Sequence, residues 1–423
     1  MICTSDIGLS ERRITLETLR FLMISTHYPP THIGGDAKFV EYLSTELANK
    51  GHEVHVFHSP SAYRLLRKSE QIDTVDSSRE GVQRHSFSSR AGTLGPLLAL
   101  SIGYWRNAGR ELDRLRREIR PDVVHWHNTR GFIGIPSKRL GEISIFTSHD
   151  YSAVCSRSNL MRPNLVVCDQ PRLCMLCNIR WMKPPHLWRA GSRRVVQYPK
   201  ETRILCPSEF MAKRLREDGV PVFQVLSNFV PDPGHNSLRG TSSRDSLVYL
   251  GMLERHKGVS TLTKAFIKSS RDQGFKLHII GEGSLRGGIA DEVARHGMQD
   301  RIHVHGFLSR ENVEIIRRDA AAQILPSIWY ENAPLTALEA LSLGVPVIGS
   351  DFGGIPEIVG PDSGGRIFHG GNAEDLSKVL VSTWHQRDAL KEMSDKARRA
   401  YEARFTPEMH LKNYFGIIAQ STN

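Results

Sequence analysis

Short apolar runs, each closed by a glycine or a polar loop and followed by residues at helical spacing, recur along this chain and restrict what it can fold into. RFLMIST (20–26) leads through HYPPTHIGGD into AKFVEYLSTELANKG, where Phe39, Val40, Leu43 and Leu47 fall at helical spacing. Gly51 ends that helix and HEVHVFH resumes as a strand, which makes a strand–helix–strand unit. The pattern returns at DVVHWHN, ISIFTSHD, ETRILCPSEF and FQVLSNF, then at SLVYLG, KLHIIGEG, RIHVHGF, AAQILPS, VPVIGSD and GRIFHGG. Such alternation predicts parallel sheets covered by helices on both faces. Ligands of these sheets lie beyond the carboxyl ends of the strands, so strand ends are where site residues are sought.

With 423 residues the chain exceeds what one core usually supports, and two domains follow. The polar, turn-rich PDPGHNSLRGTSSRDS marks the boundary, giving a first domain over 19–230 and a second over 231–400. Residues 151–190 have little periodicity and read as an insertion over the cleft mouth, with Trp181, Trp188, Lys183 and Arg189 either touching an acceptor or membrane or forming a small satellite core. Residues 60–81 read as an irregular excursion.

The richest stretch is LPSIWYENAPLTALEALSLGVPVIGSDFGGIPEIV. Glu331 lies in a loop before Pro334, which suits the first position of a helix, and Glu339 lies on that helix. Either carboxylate alone could be an ordinary solvated helix-start residue; together they converge on one strand-end crevice. Arg255 and Lys257 precede a helix that begins near Gly258 and suit phosphate oxygens. Gly281 and Gly283 close another strand, Gly353 and Gly354 precede a helical start, and Gly34 and Gly35 stand at the first turn, where backbone can approach an anion or a sugar. His149 sits at a strand tip opening into the crevice, whereas His125 and His127 share one face of their strand, alternating with Trp126.

A formal charge of +11 fits nucleic acid, an anionic membrane or phosphorylated substrates. No recognition helix or RNA-binding aromatic motif is present, so nucleic acid is not expected. AGTLGPLLALSIGYW reads either as a buried loop and helix or as a lip touching acceptor or membrane. Arg106, Arg110, Arg114, Arg116, Arg117 and Arg120 then give the next helix a basic side, either a solvated face or a peripheral contact with anionic lipid. No apolar run is long enough to span a bilayer, and MICTSDIGLSERRITLETLR has no secretory-signal character, so a cytoplasmic location is expected, with peripheral contact at the inner face of the membrane. Cys155, Cys168, Cys174 and Cys177 cluster, whereas Cys3 and Cys206 stand apart; the cluster is compatible with a structural zinc, a redox pair or reduced thiols.

There is no G-x-x-x-x-G-K-[ST] motif and no G-x-G-x-x-G with its acidic partner, which disfavours a P-loop ATPase and a nicotinamide enzyme. A carboxylate pair suits glycoside hydrolysis, but phosphate-cradling loops in the same domain argue for a nucleotide-diphosphate leaving group.

These residues resemble glycosyltransferase family 4, retaining sugar-nucleotide transferases of GT-B architecture with two Rossmann-like domains facing across a cleft. ENAPLTALE matches the family's E-x7-E motif, and GMLERHKG resembles its GRL-x-x-x-KG loop, with Met252 where arginine is usual. GGD at Gly34–Asp36 resembles the N-terminal glycine loop, and SHDYSAVC resembles members with an HD pair and a downstream cysteine cluster. The resemblance implies that Glu331 holds the donor sugar, Glu339 the ribose, and Lys257 the diphosphate, with Arg255 replacing the missing arginine. His149 would position the transferred sugar or acceptor, and Asn332 and Leu335 belong to the same donor site. The co-substrate would be a nucleotide-diphosphate sugar, with no essential catalytic metal, and the acceptor a saccharide or a lipid-linked one, in polysaccharide, lipopolysaccharide or glycolipid assembly. The last residues, 401–423, would form a helix returning to the first, acceptor-side domain. A nucleotide-sugar epimerase and a non-catalytic nucleotide- or carbohydrate-binding protein share enough of these features to stand as alternatives.

Overall fold

The structure, a computed structural model, describes residues 18–31, 34–66, 81–89, 92–129, 142–162, 166–168, 174–189, 196, 198–234 and 244–420. Cys3 and part of the proposed boundary loop lie outside the described residues.

Seven strands form the first sheet: β1 (Arg20–Ile24), β2 (Glu53–His58), β3 (Val82–Ser86), β4 (Val123–Trp126), β5 (Ile143–Thr147), β6 (Arg203–Cys206) and β7 (Val222–Val225). Their order is β3-β2-β1-β4-β5-β6-β7, and each neighbouring pair is parallel. Six more strands form the second sheet: β8 (Ser246–Leu250), β9 (Lys276–Ile280), β10 (Ile302–Gly306), β11 (Ala320–Leu325), β12 (Val347–Ser350) and β13 (Arg366–Phe368). They run in the order β10-β9-β8-β11-β12-β13, again all parallel. The chain is therefore a pair of Rossmann-like α/β domains in GT-B arrangement.

Burial on both faces explains why the strands are apolar runs. Phe21 and Met23 of β1 pack with Phe39, Val40 and Leu43 of the Gly35–Asn49 helix, while Leu22 and Ile24 point the other way into Ala108, Leu112 and Leu115 of the Arg106–Ile119 helix. The strand order reverses between β1 and β4 in the first sheet and between β8 and β11 in the second. Loops leaving the two strands of each reversal diverge to opposite faces and open a crevice between them.

The chain crosses between domains twice, side by side. After β7 it runs through Asn228–Asp232, where the Tyr401 hydroxyl donates to the Val230 carbonyl at 2.9 Å and Arg398 pairs with Asp232 at 2.6 Å. Arg398 belongs to the Leu390–Arg404 helix, which also reaches the second domain through the Ser342 carbonyl at 2.6 Å. Thr406 then caps the Pro407–Ala419 helix, which lies against the first sheet: Tyr414 stacks on Phe21, its hydroxyl meets His125 Nδ1 at 2.8 Å, and Arg203 donates to the Ile417 carbonyl at 3.0 Å.

Three local expectations change. Pro60–Leu66 is a helix at the start of the supposed excursion, although 67–80 lie outside the described residues. Pro334 is the N-cap of the Leu335–Ser342 helix rather than its first residue, because its ψ of 115° is still extended. The basic helix is less basic than its composition: Arg116 is buried in a pair with Glu142, and Arg114 is held by Glu111 at 2.8 Å and by Glu118 at 2.5 Å.

Candidate active site

The second crevice brings together the loop after β8 and the loop after β11. Arg255–Lys257 forms a single tight turn, ended by Gly258 in the left-handed region at φ 71°, where a Cβ would overlap the Pro326 carbonyl; only glycine lets the two loops approach. That approach places the Lys257 ammonium 2.7 Å from Glu331 Oε1. The same oxygen accepts from the Ser327 hydroxyl at 2.7 Å and the Trp329 indole at 2.8 Å. Burial pushes the Glu331 carboxyl up, but the Lys257 charge and the hydrogen bonds from Lys257, Ser327 and Trp329 outweigh it and hold the group below its ordinary value. Glu331 is therefore a fixed carboxylate whose Oε1 is saturated, which leaves Oε2 for a further donor.

Lys257 lies over the Trp329 ring, 4.7 Å from its centroid. Arg255 is exposed in the same turn and makes no ion pair with any described residue, so its charge is uncommitted. Met252 stands 47% exposed at the lip of this loop, and its carbonyl accepts from the Tyr249 hydroxyl at 2.7 Å. The Met252 side chain thus adds no charge where the resemblance expects one.

Glu339 sits past the first turn of its helix and is held by Arg317, whose guanidinium donates to Oε2 at 3.0 Å. Arg317 is buried at the end of the Arg310–Arg318 helix, so it fixes the carboxylate from behind. Leu335, on the first turn of the Glu339 helix, packs against Gly35, where a Cβ would lie 3.5 Å from the leucine side chain. Gly34 precedes it at φ 86° and opens the Gly35–Asn49 helix.

The remaining glycines serve loop contact. A Cβ on Gly281 would overlap the Gly251 carbonyl, and one on Gly283 would meet the Leu253 backbone, so this pair seats the loop after β9 against the loop after β8. Gly353, at φ 65°, and Gly354 leave no room for side chains against Glu331 and Asn332 backbone. The Gly354 N–H is already spent on the Glu331 carbonyl at 2.7 Å. These two glycines therefore set the position of Glu331, and the Gly354 N–H is not itself a free phosphate donor.

His149, at the end of β5, meets this assembly across the cleft: its carbonyl accepts from Asn332 Nδ2 at 2.6 Å. Its ring Nε2 lies 3.0 Å from His127 Nδ1, with the rings stacked at 5.3 Å. Burial holds both imidazoles below their usual values; for His127 the neighbouring histidines add to this, and for His149 Asp36 and Asp150 oppose it. Both rings are thus neutral, and one proton lies between them. His127 Nε2 is buried without a partner. A buried N–H with no acceptor is the costlier vacancy, so the His127 proton resides on Nδ1 and is donated to His149. His149 then carries its own proton on Nδ1. His125 is spent elsewhere, between Thr147 at 2.8 Å and Tyr414 at 2.8 Å.

The four clustered cysteines are free thiols. Burial, and then the neighbouring Cys155, pushes Cys174 and Cys177 upward, which favours the protonated form. Among the described residues no group of three or more histidine, cysteine, aspartate or glutamate side chains is placed to hold a metal ion, so of the readings open for the cysteine cluster a structural zinc finds no preformed site.

Sequence reasoning missed Ser327, Trp329, Arg317 and His127 as site residues. Ser327 and Trp329 lie in PSIWYE, which runs directly into the matched ENAPLTALE, and were within reach of a motif reading; Arg317 and His127 come from other elements, and nothing in their local spacing marks them. It also missed Glu357, whose carboxylate caps the facing Glu209–Glu217 helix by accepting from the Glu209 N–H at 2.8 Å and the Phe210 N–H at 2.6 Å.

Residues 33–232 match the family described as Glycosyltransferase Family 4, and residues 236–400 match Glycosyl transferases group 1. The chain is 25% identical over 396 residues to the MMP alpha-(1->4)-mannosyltransferase of Mycolicibacterium hassiacum, covering 87% of this chain and 90% of that one. It is 28% identical over 356 residues to the glycogen synthase of Mycobacterium tuberculosis, covering 81% and 80%. Among solved structures, the sucrose-phosphate synthase of Thermosynechococcus elongatus superposes with a TM-score of 0.67 at 17% identity, over 95% of this chain and 98% of that one.

Proposed function

The chain belongs to the two-domain glycosyltransferases that use nucleotide-diphosphate sugars, family 4 in its first half and group 1 in its second, and on that premise we propose that it transfers a hexose to a saccharide acceptor with retention of anomeric configuration. The acceptor is part of a growing polysaccharide or a lipid-linked glycan, assembled on the cytoplasmic side. The named relatives that make mannosyl linkages and glycogen support a saccharide acceptor.

The observation that carries this reading is the saturation of Glu331 Oε1 by Lys257, Ser327 and Trp329. A carboxylate fixed in this way presents Oε2 at one position and orientation, which suits recognition of sugar hydroxyls rather than proton transfer. Lys257 and the uncommitted Arg255 stand where the diphosphate acquires charge as the glycosidic bond to it breaks, and preorganised cations there lower the barrier most. Glu339, fixed by Arg317, accepts from the ribose hydroxyls. His149 donates from Nδ1 to an oxygen of the transferred sugar. The acceptor oxygen bonds to the anomeric carbon on the face from which the nucleotide diphosphate leaves, the bond from that carbon to the diphosphate oxygen breaks, and the hydroxyl proton passes to the departing phosphate, while contact between the domains excludes water.

Incubating the purified chain with UDP-, GDP- and ADP-sugars and a saccharide panel, with products read by mass spectrometry and anomeric configuration by NMR, tests the proposal. A product of retained configuration is expected. An inverted product would remove the stereochemical reading, and donor conversion without acceptor would replace transfer by epimerisation.

A further inference from the structure

We propose that the first domain carries a docking face for an anionic lipid bilayer, built from the Leu94–Ile102 helix and the arginine line of the Arg106–Ile119 helix that follows it. On the first helix Leu94, Leu98 and Ile102 are 60%, 58% and 56% exposed. Their spacing of four and four places them on one line along the helix. Gly95, Pro96 and Ala99 occupy the opposite, buried side, so the helix is seated with its apolar line outward.

That seating is fixed by close contacts. The Trp105 ring lies on Gly95 and leaves no space for a Cβ, and the Trp188 ring does the same at Gly103 while its indole donates to the Leu100 carbonyl at 3.2 Å. Trp188 belongs to the Leu187–Arg189 turn, where Leu187 is again exposed. The neighbouring Cys174–Arg180 helix adds Leu176 and Ile179, and Met182 follows it with 93% exposure.

The charges select the occupant. Arg106, Arg110 and Arg117 recur at intervals of four and seven and so share one side of their helix, which Arg120 extends; all four are exposed. Arg114 is neutralised by Glu111 and Glu118, and Asp113, the acid on this line, is drawn toward the buried Arg116 at 3.7 Å. A second copy of the chain meeting this face about a twofold axis would set the arginine line against itself. Anionic headgroups beside acyl chains match both the charge and the apolar line. A helix of this length rises only about 13 Å, so it lies in the headgroup plane and does not span the hydrocarbon. The proposal is independent of the donor chemistry, because transfer to a soluble acceptor needs no bilayer.

The full chain should be sedimented with vesicles of phosphatidylcholine alone and of phosphatidylcholine with phosphatidylglycerol. Binding to the anionic vesicles at least tenfold tighter is expected, with about fivefold lost per arginine removed among Arg106→Ala, Arg110→Ala and Arg117→Ala. Leu98→Glu should reduce binding tenfold or more while thermal melting and transfer to a soluble acceptor stay unchanged. Equal partitioning to both vesicle types, or insensitivity to Leu98→Glu, would overturn the proposal. So would sedimentation velocity showing a dimer that Leu98→Glu dissociates, because the face would then be an interface between copies.

Discussion

Lys257 and Glu331, contributed by loops on either side of the strand reversal in the second sheet, share one ion pair of 2.7 Å, and Glu331 Oε1 receives two further donors from its own loop. Glu331→Gln would keep the shape but remove the charge that holds Lys257. Transfer should fall at least ~100-fold, the scale of losing one preorganised polar contact at the reacting centre. Far-ultraviolet circular dichroism should be unchanged. Steady-state turnover above a tenth of the parent would remove Glu331 from its assigned role.

Arg317 does not face the cleft, yet Glu339 depends on it. Arg317→Met preserves much of the buried volume and releases the carboxylate. Donor KM should rise about tenfold, equivalent to losing one charge-assisted hydrogen bond, with kcat changed less. A kcat effect with unchanged KM would show that Glu339 acts on the transition state instead.

His127 is expected to set the protonated nitrogen of His149. His127→Phe leaves His149 Nε2 without its donor, so the His149 proton is no longer confined to Nδ1. Nitrogen-15 NMR of the imidazoles should show the Nδ1–H form of His149 in the parent and a mixture in the variant, with kcat/KM lowered about tenfold. An unchanged tautomer would contradict the assignment.

Stability should fall on the acid side. Burial, with neighbouring charges for two of the three, pushes His58, His278 and His410 down to about 4, from an ordinary 6.5. Between those values the unfolded chain binds protons that the folded chain refuses, so stability is fully present above the ordinary value and is lost as pH falls toward the folded one. Thermal melting at pH 5 should lie roughly 5 °C or more below that at pH 7.5. A melting temperature independent of pH would show that these rings charge freely in the fold.

The sheets were legible because each strand is a short apolar run and each helix has its own period; RFLMI and SLVYL carry their burial on both faces in plain view. Glu331 and Lys257 stood out because charged loop residues beside proline and glycine have few structural reasons to be there, and the two do meet in one ion pair; Glu339 stood out only by its spacing from Glu331, on the helix that follows. Arg317 and His127 were not. Their partners lie 22 residues away in each case, across a strand or between strands, and their own neighbourhoods look like an ordinary helix end and an ordinary strand end. Composition misled at Arg114 and Arg116, where carboxylates nearby in space absorb charge that a count of arginines assigns to the surface.

The paired crossings at Asn228–Asp232 and at the junction of the last two helices confine how the molecule can open. One connecting strand would leave a swivel, free to twist as well as bend. Two lying side by side, joined by Tyr401 to Val230 and Arg398 to Asp232, act as the two straps of a book spine, so the domains can part like covers but cannot rotate face against face. Parting along that one arc would separate Asn332 from His149 and Leu335 from Gly35, and closing along it would restore both contacts in register.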